Sequence, residues 1–255
     1  MKKEVFLISW TDKPLMTMMW AFSNMHNSVP DTLEEFESDN TTKFGSDLGR
    51  IKSSFIKMLA ANPHSSVLEF VNTNWMIRGG SRAFQQQLTR TRLAAYSIQS
   101  MRIVNVERFF EEEMFHIPER FSSDEKSAVK SEYLQAMKSA QESYCKLISL
   151  GAKVEDARGV LPLNICSPIT MSINLRALSH MLETRLCNLA QDEHRLFAEK
   201  MVKEISTKLG AEFGPLFRKP CEKVGHCTMP VNCGKTQYKL DKAYENIDLD
   251  LWLKG

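Results

Sequence analysis

The sequence predicts a single α+β domain spanning residues 1–255. Two segments, Glu4–Trp10 and residues 67–77, have the short apolar run or the alternating pattern of β-strands. A third segment, residues 124–150, has the apolar spacing of a long amphipathic helix. Because no internal repeat or low-complexity linker divides the chain, we expect strands and helices to share one core.

The composition is that of an ordinary globular protein. Of the 255 residues, 43% are hydrophobic and 25% are charged, which is enough apolar material for a sizeable core. Lysine and arginine total 33 against 31 acidic residues, so the formal net charge of +2 argues against a protein that coats nucleic acid. Six cysteines are too few for a disulfide framework. Since no apolar stretch suggests a signal peptide or a membrane span, we expect a cytoplasmic protein.

Local signals define the smaller elements before residue 90. Helices are predicted at 14–25 and 51–61, and the polar stretch 27–49 is expected to be loop with some helix. Gly79-Gly80 is expected to end the second strand. Ser81 then has the side chain to cap a short helix that continues through Leu88.

Capping signals also delimit the long helix in the second half of the chain. Ser122 and Glu125 have the spacing of a capping box at its start, and Gly151 follows its end. A further helix is predicted at 171–189, followed by another, possibly continuous with it, to about residue 209. The tail from residue 219 is expected to be irregular.

The predicted helix at 171–189 carries two polar faces. Asn174 and Arg185 are 11 residues apart, close to three turns, and therefore share one face. Arg176 and His180 are four residues apart and share another. A helix with two polar faces can serve two pockets, which suggests an oligomer.

Arginines cluster in two parts of the sequence. The first cluster contains Arg90, Arg92 and Arg102, and the second contains Arg158, Arg176 and Arg185. The planar guanidinium donates two parallel hydrogen bonds and suits phosphate groups. Arginines are also common as solvated or ion-paired surface residues, and composition alone leaves both interpretations open.

Four motifs in order resemble those of flavin-dependent thymidylate synthases. Arg90-Thr91-Arg92, then seven residues and Ser100, resembles the family's RHR-x7-S signature. Residues 64–70 (HSSVLEF) look like its H-x-[ST]-x-x-E-H segment, and residues 158–164 (RGVLPLN) are similar to its R-x-x-L-P-x-[NG] stretch. The spacing of Asn174, Arg176, His180 and Arg185 is similar to that of its N-x-R helix. The resemblance covers residues 60–200 most clearly.

The resemblance implies a fold, an activity and an assembly. The expected subunit is an α+β domain with a central antiparallel or mixed sheet flanked by long helices, and four copies form a homotetramer with shared active sites. The expected reaction transfers a one-carbon unit from 5,10-methylenetetrahydrofolate to C5 of dUMP, giving dTMP. FAD is the expected cofactor and NADPH its reductant. Neither nucleic acid nor a membrane is an expected partner.

The resemblance also assigns roles to individual residues. Arg185 is expected to be catalytic, because a guanidinium beside the pyrimidine stabilises negative charge that develops at N3 and O4. The residues expected to bind dUMP are Gln87, Arg90, Ser100, Met101, Arg102, Arg158 and Arg185. The residues expected to bind FAD are His64, Ser66, Arg90, Thr91, Arg92, Asn174, Arg176 and His180.

The sequence departs from the family pattern at Thr91, at the Ser97-Ile98 pair, where the family has Asn-Glu, and at Ile103, where it has an aromatic residue. Thr91 stands where the family has histidine, and Ile98 stands where it has glutamate. Three interpretations follow: a dUMP methylase that tolerates the changes, an enzyme that makes a 5-hydroxymethyl nucleotide or acts on dCMP, or a non-catalytic nucleotide-binding relative. Three cysteines and a histidine near the C-terminus could in principle hold zinc, but their spacing is not a standard one and no metal site is predicted; they are Cys221, His226, Cys227 and Cys233.

Overall fold

A four-stranded antiparallel sheet lies at the centre of the computed structural model, which describes residues 2–61, 65–104, 106–123, 126–229 and 232–234. The strands are β1 (Glu4–Trp10), β2 (Asn72–Ser81), β3 (Ala94–Ile98) and β4 (Cys166–Asn174), in the spatial order β1-β2-β4-β3. Every neighbouring pair is antiparallel. The bounds predicted for β1 are confirmed, whereas β3 was not predicted.

The second strand differs from its prediction at both ends. Residues 66–70 form a 3₁₀ turn, and β2 begins only at Asn72. Gly79 and Gly80 do not end the strand, which continues to Ser81 with an irregular register opposite β4. Gly79 has φ +74°, and a Cβ there would stand 2.6 Å from the carbonyl oxygen of Lys2. The glycine therefore allows the N-terminal segment to pass close to the sheet.

The prediction of a helix over residues 171–189 is wrong at both ends, since the helix starts after Asn174 and stops at Arg185. Residues up to Asn174 belong to β4, in which buried and half-buried side chains alternate with the period of a strand. Asn174 ends the strand and caps the helix α7 (Leu175–Arg185), its Oδ1 accepting a hydrogen bond from the backbone N–H of Ala177 at 2.9 Å. Strand and helix thus meet at a single asparagine.

Helices cover one face of the sheet and extend from it. The first half of the chain contributes α1 (Pro14–Asn24), α2 (Leu33–Phe44), α3 (Leu48–Ala61) and α4 (Arg82–Leu88). Most of the stretch predicted as loop with some helix is α2, which Thr32 caps by accepting from the N–H of Glu35. The predicted cap of α4 is confirmed, since Ser81 Oγ accepts from the N–H of Phe84 at 3.0 Å.

The second half contributes α5 (Ser127–Ser149), α6 (Val154–Ala157), α7, α8 (Asp192–Lys208) and α9 (Pro220–Val224). The long predicted helix is confirmed as α5, although it begins at Ser127 and Glu125 of the predicted capping box lies outside the described residues. Helices α7 and α8 are separate. No described helix is both long enough and apolar enough to cross a membrane.

Two apolar clusters hold these elements in place. The larger one lies between the inner face of the sheet and the helices α1, α3, α7 and α8, with Trp75 and Ile77 completely buried at its centre. The smaller one joins α5 to the chain between Met101 and Ile117. The larger cluster fixes α4, β4 and α7 relative to one another, and these three elements carry most of the candidate site.

Candidate active site

A cavity of about 1330 Å³ runs along α7. It also borders the end of α3, the turn after α4 and the short helix α9. Seven of the residues that the sequence singled out line it: Arg90, Thr91, Arg92, Asn174, Arg176, His180 and Arg185. Pockets for small molecules usually measure about 300–1,000 Å³, so this one has room for a dinucleotide.

A tyrosine clasp shapes the turn that carries Arg90 and Arg92. The hydroxyl of Tyr96 on β3 lies 2.9 Å from the carbonyl oxygen of Leu88 and 3.0 Å from that of Thr91. Burial raises the pKa of this phenol, so it remains a protonated donor. By contacting both ends of the turn, Tyr96 fixes the position from which the two arginines reach the cavity.

Arg185, the last residue of α7, is half-buried in the cavity wall. Its Nη1 donates to Oε1 of Gln87 at 3.4 Å, and Gln87 is itself one of the residues predicted to bind nucleotide. Burial lowers the pKa of Arg185 below its ordinary value, and the nearby charge of Arg90 lowers it further. Both causes are unfavourable to the cation, and an anion in the cavity would offset both.

Three arginines of this cavity lack an acidic partner in the described part of the chain. Arg90, Arg92 and Arg185 form no ion pair there, whereas Arg176 pairs with Glu69 on the 3₁₀ turn before β2. The two carboxylates of the cavity wall, Glu69 and Glu183, pair with Arg176 and Lys223, so the charge of the other three arginines remains available to a ligand. The cavity is therefore suited to an anion such as a phosphate or pyrophosphate, for which arginine is the preferred donor.

The remaining residues predicted to bind dUMP lie elsewhere in the chain. Ser100 and Arg102 line a separate cavity of about 390 Å³, where Arg102 is ion-paired with Glu155. Arg158 is exposed, and its Nε donates to the carbonyl oxygen of Glu155 at 3.2 Å. One chain thus holds two partial sets of the predicted nucleotide ligands in two places.

Two further predicted residues, Met101 and Ser66, line neither cavity. The side chain of Met101 is 7% exposed and belongs to the smaller apolar cluster. Ser66 is exposed on the 3₁₀ turn, and its neighbour Ser65 lines the large cavity instead. His64 lies outside the described residues.

Sequence reasoning missed part of the cavity wall. The end of α3 contributes Leu59, and α9 contributes Lys223 and Val224. Lys223 pairs with Glu183 of α7 at 3.1 Å and so joins the tail to the site. The lysines of the tail gave no positional signal, because a segment predicted to be irregular does not indicate which side chain faces the body.

Two of the departures from the family pattern have different surroundings. Thr91 lines the large cavity between the two arginines, so its hydroxyl is available to a ligand. Ile98 lies on β3 opposite Ile169 and packs against the larger apolar cluster, away from the cavity. The substitution at Thr91 therefore changes the chemistry of the cavity, whereas Ile98 contributes to packing.

Comparison with known proteins assigns the family. The sequence profile of the family described as thymidylate synthase complementing protein matches residues 6–209. The flavin-dependent thymidylate synthase of Pyrococcus horikoshii is 35% identical over 243 residues, which cover 91% of this chain and 94% of that protein. The chain belongs to the flavin-dependent thymidylate synthase family. The enzyme of the same name from Pyrococcus furiosus is 32% identical over 254 residues, which cover 95% of this chain and 98% of that protein.

Solved structures of the family share the fold. The crystal structure of the flavin-dependent thymidylate synthase from Helicobacter pylori, complexed with FAD and dUMP, superimposes with a TM-score of 0.62 at 23% identity. The match covers 84% of this chain and 97% of that one. The mixed helix and strand architecture around a four-stranded antiparallel sheet is thus the architecture of the family.

Proposed function

We propose that this protein is a flavin-dependent thymidylate synthase, which transfers a one-carbon unit from 5,10-methylenetetrahydrofolate to C5 of dUMP and forms dTMP. One observation carries the proposal at the level of structure: Arg90, Arg92 and Arg185 converge on a large cavity without acidic partners among the described residues. Both the nucleotide and the cofactor are anions. Membership of the family supplies the reaction.

The residues along the cavity fit a flavin dinucleotide. In this proposal Arg90 and Arg92 neutralise its pyrophosphate, and Asn174, Arg176 and His180 contact it from the α7 wall of the cavity that all five residues line. The relative from Helicobacter pylori was crystallised with FAD. When bound, the flavin supplies the reducing equivalents that no side chain can supply, and NADPH is the reductant that we expect to recharge it.

Arg185 acts on the pyrimidine. Because it is half-buried and has only the neutral Gln87 as a side-chain partner among the described residues, its charge is available to the substrate. A guanidinium donating to the N3 and O4 side of the ring stabilises the negative charge that makes C5 nucleophilic. Gln87 holds the guanidinium in place before the substrate arrives, so little reorganisation is needed during the reaction.

A second copy of the chain completes the site in this proposal. Ser100, Arg102 and Arg158 are predicted to bind dUMP, but they surround Glu155 rather than the large cavity. Apposition of two copies would bring these residues to the Arg185 site of a neighbour. A closed symmetric assembly, with the homotetramer as the expected form, satisfies this requirement.

The test begins with the purified protein and FAD, followed by reaction with methylenetetrahydrofolate, NADPH and dUMP. The expected results are a bound flavin absorption band and a product heavier than dUMP by one CH₂ in mass spectrometry. Protein that takes up no FAD and forms no product would refute the proposal and favour a non-catalytic nucleotide-binding relative.

The same assay decides between the alternatives that Thr91 raises. Thr91 lies in the cavity wall, where the family's histidine would stand, so a changed substrate or product is chemically reasonable. A product heavier by CH₂O would identify a hydroxymethylase. Product from dCMP with none from dUMP would identify cytosine as the base.

A further inference from the structure

A second large cavity lies outside the candidate active site, where the residues before β1 meet α5 and α8. It measures about 900 Å³, and no described residue lines both cavities. Its cationic side chains are Lys2, Lys3, Lys130 and Lys200. Two carboxylates, Glu111 and Glu113, also line it, so lysines outnumber acidic residues in the wall of this lysine cavity.

The acidic groups nearby do not neutralise all of these lysines. Lys2 pairs with Glu4 at 3.0 Å, but Lys130 and Lys200 form no ion pair within the described residues. Burial lowers the pKa of Lys3, and the nearby charge of Lys200 lowers it further, although the charge of Glu193 acts in the opposite direction. An anion in the cavity would offset both the burial of Lys3 and its repulsion by Lys200.

A buried polar cluster holds Lys3 in place in the cavity wall. Its Nζ donates to Nδ1 of His116 at 2.7 Å and lies 3.9 Å from Oε1 of Glu193, whose side chain is completely buried. His116 also lines the cavity and is only 8% exposed. Because burial and the charge of Lys3 lower the pKa of His116 to about 4, its ring is neutral and Nδ1 accepts this hydrogen bond. The ammonium group of Lys3 therefore has a fixed position before any ligand arrives.

Apolar side chains form the rest of the wall. The rings of Phe110 and Phe115 are stacked, with centroids 5.5 Å apart and an interplanar angle of 4°. On α5 and on α8, the lysine of the cavity lies four residues from a leucine, Leu134 or Leu196, so each helix presents a cation and an apolar side chain on one face. Cationic and apolar surface side by side favours a ligand that carries phosphate on an aromatic or apolar body.

Hydrogen bonds attach the segment that carries Phe110 and His116 to α5. The backbone N–H of Phe110 donates to Oε1 of Gln141 at 2.7 Å, and the hydroxyl of Tyr133 donates to the carbonyl oxygen of His116 at 2.6 Å. Both ends of the segment are thus held by side chains of one long helix. The wall is already formed, so little ordering is needed when a ligand binds.

We propose that the lysine cavity binds a nucleoside polyphosphate, with its phosphates on Lys3, Lys130 and Lys200 and its base against Phe110. Lysine binds phosphate as a point charge and needs no fixed fork. The volume of the cavity falls in the range of about 300–1,000 Å³ that is usual for small-molecule sites. This site goes beyond the proposed function, because it shares no residue with the cavity assigned to FAD and dUMP.

The experiment uses ATP as the probe, since ATP is neither a substrate nor a cofactor of the proposed reaction. Isothermal titration calorimetry measures its binding to the full chain in the presence of excess FAD and dUMP and without Mg²⁺. One ATP is expected to bind per chain, with an affinity that falls as the salt concentration rises. Adenosine, which lacks the phosphates, is not expected to bind.

Substitutions of the half-buried lysines test the location of the site. Lys130→Gln and Lys200→Gln should each weaken ATP binding about tenfold, the effect of losing one hydrogen bond between charged groups. Lys3 is left unaltered, because its contacts in the buried cluster also contribute to folding. Lys203→Gln is the matched control, since Lys203 is an exposed residue of α8 that does not line the cavity, and it should bind ATP as the parent does.

Three outcomes would overturn the proposal: no binding of ATP, unchanged affinity in both Lys130→Gln and Lys200→Gln, or loss of ATP binding in Arg185→Ala. The last result would place ATP in the candidate active site, and it distinguishes a failure of this proposal from a failure of the proposed function. Tripolyphosphate that binds as tightly as ATP would refute the contact between the base and Phe110. If a lysine variant does not fold, the unaltered protein decides, and an affinity for ATP that does not change with salt refutes the site.

Discussion

The guanidinium of Arg185 donates to the amide oxygen of Gln87 at 3.4 Å, and this contact joins the end of α7 to the end of α4. Among the described residues it is the only side-chain hydrogen bond of Arg185, so the orientation of this proposed catalytic cation depends on one neutral residue. We therefore expect Gln87→Leu to weaken dUMP binding by about tenfold, the cost of one hydrogen bond to a charged group. Equilibrium titration with dUMP measures the loss. Gln86→Leu, one position earlier and exposed, should bind as the parent does.

Substitutions of Arg185 test its proposed electrostatic role in the reaction. Arg185→Ala and Arg185→Lys should both reduce the rate of dTMP formation by about 10²–10³-fold, the usual effect of removing one preorganised donor. Lysine is not expected to recover the rate, because its single point charge cannot replace a planar fork. Single-turnover measurements separate this step from binding. Arg50→Ala on the exposed surface of α3 serves as the control, and an Arg185→Ala enzyme as fast as that control would contradict the assignment.

Tyr96→Phe tests the clasp on the arginine turn. Without the hydroxyl, the carbonyl oxygens of Leu88 and Thr91 lose their shared donor, and the turn that carries Arg90 loosens. FAD affinity is expected to fall severalfold, by about 1 kcal/mol for the lost hydrogen bond. Flavin fluorescence titration gives the affinity directly.

Tyr133→Phe is the matched control for this change. Tyr133 donates to the carbonyl oxygen of His116 at 2.6 Å and lies in the smaller apolar cluster. Loss of the Tyr133 hydroxyl should lower the free energy of unfolding and leave the affinity for FAD unchanged. Equal losses of FAD affinity in the two variants would mean that Tyr96 acts through general stability.

The buried side chain of His194 makes the stability of the folded protein depend on pH. Its side chain is 1% exposed, and neither ring nitrogen has a hydrogen-bond partner among the described residues. Burial, with a smaller contribution from the charge of Arg185, lowers its pKa from 6.5 to about 3. Below pH 6.5, His194 is therefore protonated in the unfolded chain but stays neutral in the folded protein. The stability present above pH 6.5 is lost as the pH falls toward 3.

The same sign applies to His116, whose pKa is lowered to about 4 by burial and by the nearby Lys3. Each histidine contributes a slope of about 1.4 kcal/mol per pH unit while it is neutral in the fold and charged in the unfolded chain. His194→Leu should remove one such slope and stabilise the protein in acid. Urea unfolding at about pH 5 and pH 7 tests this, with the exposed His26→Leu as the control. An unchanged pH slope in His194→Leu would contradict the explanation.

Local signals predicted the elements whose capping and periodicity agree. Glu4–Trp10 has the pattern of a strand and no competing helical pattern. The side chain of Ser81 favours the start of a helix at the next residue. The prediction for residues 171–174 was wrong because two patterns compete there. Ile173, Leu178 and Met181 fit a helical spacing, and the alternation of β4 is visible only when Thr170 and Ser172 are known to be less buried than their neighbours. Tertiary pairing with β2 and β3 decides the outcome there.

The candidate site was predicted unevenly for a similar reason. Motif spacing located the arginines of one cavity, since Arg90, Arg92, Arg176 and Arg185 all meet there. It could not reveal that Ser100 and Arg102 face a different cavity, because position in a motif does not say which cavity of the folded chain a residue lines.

The length of helix α7 sets the distance between Asn174 and Arg185. Asn174 caps its first turn and Arg185 is its final residue, and both border the large cavity. At 1.5 Å per residue, the 11 residues of the helix span about 16 Å between the two ends. Inserting one residue would turn the guanidinium by roughly 100° away from its target. The number of residues between Asn174 and Arg185 therefore fixes where the guanidinium stands relative to the rest of the cavity wall.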